Sequence, residues 1–106
     1  MMLAAVKLAR QIQTEVFDPD LRDLIIAGIK DIQHAGPRFT FSEVTDQETG
    51  EVTDYVITDP LVKRAVITYV LMNFGNPDNY DRLKKSYDEQ KGQLRESSGY
   101  GMEVVG

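Results

Sequence analysis

DPLVKRAVITYVLMNFGNPDNYDRLKKSYDEQKGQLRESSGYG, residues 59–101, decides how this chain folds. Its first part, about Leu61 to Phe74, has Lys63, Arg64, Thr68 and Asn73 as its only strongly polar positions. A helix with so few polar residues is expected to be buried nearly all round. Gly75-Asn76-Pro77 interrupts it, and a charged helix is expected from about Asn79 to Arg95. There Tyr80, Leu83, Tyr87, Gln90 or Lys91, and Leu94 form one narrow stripe, enough to dock on the preceding helix and leave the other faces wet. Asp81 with Lys84 and Lys85, and Asp88 with Lys91, are the expected surface pairs, worth only tenths of a kcal/mol each.

Working outward, the four prolines punctuate the rest. Asp18-Pro19, Asp59-Pro60 and Asn76-Pro77 each precede a run of helical period. An Asx side chain accepts from the first free amides, and proline in the first turn loses no hydrogen bond. Gly36-Pro37 follows such a run and ends it. Two further helices result, about Leu3 to Thr14 with a stripe of Leu3, Val6, Leu8, Ala9 and Ile12, and about Asp20 to Ala35 with Leu21, Leu24, Ile25, Gly28, Ile29 and Ile32. Between helices two and three, Phe39 and Phe41 alternate, as do Val52, Asp54 and Val56 with Thr53, Tyr55 and Ile57, around a turn-rich centre at 45–50. The pattern predicts a β-hairpin at about 39–57. Two strands alone are marginal in water, so this hairpin must lean on the helices or on a neighbour. The expected fold is mainly α: a four-helix single domain over 1–96 with the hairpin inserted between helices two and three, and a flexible C-terminal tail over 97–106.

Composition narrows the function classes. There is no cysteine among the 106 residues, so a disulfide framework, a thiol nucleophile and a thiolate metal site are excluded. The start, MMLAAVKLARQIQTEV, has the pattern of an amphipathic helix rather than a signal peptide. No apolar run reaches the ~18 residues that span a bilayer, so no membrane partner is expected. The net charge of −5 is unevenly placed: residues 1–58 hold ten acids and five bases, residues 59–106 seven of each. A basic stripe able to neutralise phosphates is missing, which disfavours tight nucleic-acid binding.

The chemistry-bearing residues are sparse. The sole histidine, His34, falls near a helix C-terminus, where the dipole alone favours it. Asp18-Pro19-Asp20 and Asp78-Asn79-Tyr80-Asp81 are oxygen-rich, but helix capping accounts for both, and the spacing lacks the ligand number that calcium takes. No nucleophile elbow, phosphate loop or zinc-protease pattern occurs. Neither catalysis, a cofactor nor a metal is expected. What remains is surface. Glu43, Asp46, Glu48, Glu51 and Asp54 place five acids and no base on the hairpin, either as a solvated loop or as an acidic arm facing a basic partner or a DNA passage. Tyr100, Met102, Val104 and Val105 put apolar residues on the tail, which either frays or adds to another subunit's sheet edge or groove.

With these elements placed, the chain resembles the small head–tail connector (adaptor, or head-completion) proteins of long-tailed bacteriophages and prophages. The residues that carry the likeness are Thr58-Asp59-Pro60-Leu61-Val62-Lys63-Arg64-Ala65-Val66, on to Tyr69-Val70, then Asn76-Pro77 and Ser86-Tyr87-Asp88-Glu89-Gln90-Lys91 before Leu94. The order of elements is also similar; the 39–57 hairpin is the chief departure. The resemblance implies a virion structural protein made in the host cytoplasm. It would dock as a homo-oligomeric ring beneath the portal protein after DNA packaging and offer a platform to the stopper or tail-completion protein, with DNA passing nearby unbound. The alternative from another class is a small acidic, phage-encoded regulatory or protein-interaction domain whose hairpin mimics nucleic-acid charge. A hydrolase or nuclease would have only Asp78 and Asp81 as a candidate site.

Overall fold

The computed structural model describes residues 1–75 and 77–96. Among these, four helices, α1 (Met2–Arg10), α2 (Asp18–His34), α3 (Pro60–Asn73) and α4 (Tyr80–Glu96), enclose one hairpin, β1 (Phe41–Thr45) and β2 (Val52–Ile57), between α2 and α3. The expected mainly α architecture is the one observed. The expected tail, with Tyr100, Met102, Val104 and Val105, lies outside the described residues.

α3 is the centre of the fold, packing against α1, α2 and α4. Its start follows the sequence: the Asp59 carboxylate accepts the N–H groups of Leu61 at 2.9 Å and Val62 at 3.3 Å, with Pro60 in the first turn. Val62, Ala65, Val66, Thr68, Val70 and Met72 are buried, and the Thr68 hydroxyl is satisfied by donating to the Arg64 carbonyl at 3.0 Å. α2 contributes Leu21, Ile25, Ile29 and Ile32 to the same core. It crosses α3 so closely at Gly28 that a Cβ there would stand 2.9 Å from Tyr69 Cδ1. Only a residue without a side chain fits this crossing. α2 ends as expected, with Gly36 at φ +118° and Pro37 behind it.

Three boundaries differ from expectation, each for a local reason. α1 stops at Arg10 because Gln11 adopts a left-handed conformation at φ 60°, and the Ile12 N–H bonds back to the Lys7 carbonyl at 2.8 Å. That is the Schellman closure usually made by glycine, held here by Ile12 turning toward the core. The stripe shifts accordingly. Met2 and Val6 are buried, while Leu8, expected on the inner face, is 81% exposed and Ala9 is exposed too. α2 begins at Asp18 rather than Asp20, with Phe17 before it and no side-chain cap. The Asp18 carboxylate is engaged instead by Lys7 at 2.9 Å, and it still lies in a first turn where negative charge is favourable. α4 begins at Tyr80, so Pro77 sits three residues ahead of the helix, its carbonyl accepting the Tyr80 N–H.

The strands pair antiparallel in the register Phe41↔Ile57, Ser42↔Val56, Glu43↔Tyr55 and Val44↔Asp54, then Thr45↔Val52 across a bulge. β2 lies against α1, α2 and α3, burying Tyr55 and Ile57. The Phe39, Phe41 and Tyr55 rings line up at 6.3–6.4 Å spacing. The hairpin therefore leans on the chain's own helices, which supplies the burial that two strands lack by themselves.

Candidate functional site

The hairpin acids occupy different environments. Asp54 is buried: one carboxylate oxygen accepts the Tyr55 N–H at 2.7 Å and, across 51 residues, the Leu3 N–H at 2.9 Å. Leu3 is in the first turn of α1, which has no side-chain cap of its own. Asp54 thus caps α1 from the hairpin and sets negative charge at its N-terminus. Asp46 builds the turn. Its carboxylate accepts the N–H groups of Glu48 at 2.7 Å and Thr49 at 3.3 Å, and its own N–H donates to the Glu51 carbonyl. Glu43, Glu48 and Glu51 are exposed and have no carboxylate partner among the described residues. The hairpin presents these three side chains, with the outer side of Asp46, as an acidic edge and tip.

A second cluster joins α2 to α4. Tyr87, 2% exposed, donates its hydroxyl to Asp31 at 2.5 Å. Lys91 reaches the same oxygen at 3.3 Å and lies 4.6 Å over the Tyr87 ring. The Tyr69 ring of α3 packs on Tyr87 at 5.4 Å. Partial burial pushes the Asp31 carboxyl up, but the hydrogen bonds from Tyr87 and Lys91, then the charges of Lys91 and His34, outweigh it and hold the group below the ordinary carboxylate value. Burial, and then the Asp31 carboxylate, push the Tyr87 phenol up, so it stays a donor throughout the physiological range. Sequence reasoning assigned Lys91 to Asp88. The structure pairs Asp88 with Lys84 at 3.0 Å and sends Lys91 across to α2. Nothing local could have shown this, since Asp31 and Tyr87 are 56 residues apart.

Exposed basic side chains lie toward the C-terminal end of α2. His34, the last residue of α2, is exposed, as are Lys30, Arg38 and Arg95. Arg95 runs beside Gly36, where a Cβ would lie 3.7 Å from its Cγ. At the opposite end of α2, Leu8, Val16 and Phe17 are exposed, 81%, 76% and 40% respectively, with Phe17 edge-on to Phe74 at 5.3 Å. Among the described residues, no group of three or more His, Cys, Asp or Glu side chains is placed to hold a metal ion, and no helix is long and apolar enough to cross a membrane. Asp78 and Asp81, the only candidates for hydrolytic chemistry, are exposed at the start of α4.

Fold and surface together define a small, mainly helical protein with an acidic hairpin edge. The family is established by sequence: the profile of the phage connector protein family matches residues 2–101, and the chain belongs to that family. It is a structural protein of the phage neck, acting with other head and tail proteins. Comparison with curated proteins and with solved structures gives no match.

Proposed function

We propose that the chain is a non-enzymatic adaptor that assembles as a ring beneath the portal protein. There it completes the DNA-filled head and offers the attachment platform for the stopper or tail-completion protein. The observation that carries this is the family match, which spans the hairpin and all four helices. The exposed acids Glu43, Glu48 and Glu51 support it physically. An acidic arm repels DNA passing through a bore and faces basic surfaces on neighbours. Asp46 and Asp54 serve the same arm from within, one by closing its turn and the other by fixing it to α1. Tyr100, Met102, Val104 and Val105 are the apolar counterpart, docking into an adjacent subunit or the portal.

The test is co-assembly with the portal, with and without residues 99–106. The intact chain is expected to join portal particles. The truncated chain should melt within a few degrees of the intact one yet be recovered on portals several-fold less. A collapse of the melting transition on truncation would assign the tail to the chain's own core instead. A chain that never joins portals but captures a basic protein from infected cells would favour the regulatory alternative.

A further inference from the structure

The two charged surfaces lie at opposite ends of one helix, and this geometry specifies a direction of assembly. α2 has 17 residues, a length of about 25 Å. Its C-terminal end carries the basic corner: Arg95 runs beside Gly36, Arg38 follows two residues along the chain, both are exposed, and Asp31 is already paired with Lys91. The hairpin starts within seven residues of that end and runs back along α2. Tyr55 is within electrostatic reach of Arg22 and Asp23 in the early turns of α2, and Asp54 touches the start of α1. The tip, with Glu48 and Glu51, therefore projects away from the basic corner. The two surfaces cannot meet within one molecule, because the strand that bears the tip is pinned by Asp54 and by the burial of Tyr55 and Ile57.

We propose that the acidic hairpin tip of one copy docks on the Arg38–Arg95 corner of the next, so that the subunits associate head to tail through these two surfaces. Charge complementarity selects the occupant. The corner offers two guanidiniums without an acidic partner among the described residues, and the tip offers two carboxylates in the same condition. Two different surfaces at opposite ends make a heterologous contact, which either closes into a ring or grows as a filament; a two-fold dimer would need one self-complementary patch. This deepens the ring reading and rests on it.

The test uses the full chain and three variants: Glu48→Lys/Glu51→Lys, Arg38→Glu/Arg95→Glu, and all four substitutions together. Native mass spectrometry and sedimentation at low and moderate salt report the assembly state, and circular dichroism confirms that each variant folds. The wild-type chain is expected to self-associate in a salt-sensitive way. Each two-site variant should weaken association by about tenfold or more. A mixture of the two variants should co-assemble in strict alternation, because the acidic tip of one fits the basic corner of the other and the reversed tip fits the reversed corner. The fourfold variant, with both charges exchanged, should recover self-association. A wild-type chain that stays monomeric at every concentration, or a mixture that does not pair, overturns the head-to-tail contact while leaving the connector role untouched. Retention of duplex DNA that Arg38→Glu/Arg95→Glu abolishes would overturn it too, by giving the corner a different occupant. Assembly as proposed by a chain that never joins a portal would instead refute the neck reading alone.

Discussion

Replacing Tyr87 by alanine is expected to release α4 from the rest of the molecule. Tyr87 is 2% exposed, packs on Tyr69 and carries the hydrogen bond to Asp31. Removing a buried aromatic ring costs about 3–5 kcal/mol, which in a protein of this size lowers the melting temperature by roughly 15 °C or more. Tyr87→Phe separates the ring from the hydroxyl. Asp31 has 42% of its side chain exposed, so solvent screens the lost bond, and the expected loss is about 1 kcal/mol. The difference between wild type and Tyr87→Phe should depend on pH in a defined way. Asp31 is depressed in the folded state, so its contribution is present above the unfolded carboxylate value of about 3.9 and is lost as pH falls through its lower folded value. Tyr87 is raised, so its contribution is present below about pH 10 and is lost as pH rises beyond it. Thermal melts across pH 2–11 are thus expected to show the two chains furthest apart near neutrality and converging at both extremes. A gap that is constant with pH would remove the hydroxyl–carboxylate bond from the account.

The second large effect is expected at Asp54. Asp54→Ala leaves the N–H groups of Leu3 and Tyr55 without their acceptor at a buried junction. A hydrogen bond to a charged group and a lost helix cap together cost about 2–3 kcal/mol. The damage should be local first. Amide exchange is expected to accelerate at Leu3 and through β2 before the α2–α3 core responds, because α1 and the hairpin hold each other through this carboxylate. Asp54→Asn retains an acceptor oxygen and should recover a large part of the loss. If Asp54→Ala matched wild type in melting and exchange, the hairpin would be held by its apolar face alone.

The contrast between these two residues shows where sequence reasoning reaches. α3 was legible because one carboxylate, one proline and a nearly continuous apolar run act within a few residues of each other, and Asp59 caps as its position demands. The hairpin was legible from alternation and from turn chemistry at Asp46. The end of α1 was not. Gln11 carries no glycine signal, and the turn is set by where Ile12 is buried. Asp54 looked like one more surface acid because its partner, Leu3, is 51 residues away. The basic corner was hidden in the same way: Arg95 comes beside Gly36, two residues before Arg38, only after α4 has folded back along α3 and clamped Asp31. Local signals therefore gave the elements and the run of hairpin acids, while the contacts that orient the hairpin come from the packing.

Electron cryo-microscopy of portal particles incubated with the full chain shows whether this connector assembles as a ring on the portal. The expected result is a closed collar of connector subunits beneath the portal, each touching its neighbours in one direction, hairpin tip to Arg38–Arg95 corner. Portal particles that remain bare at saturating connector, with the chain monomeric in solution, would contradict it.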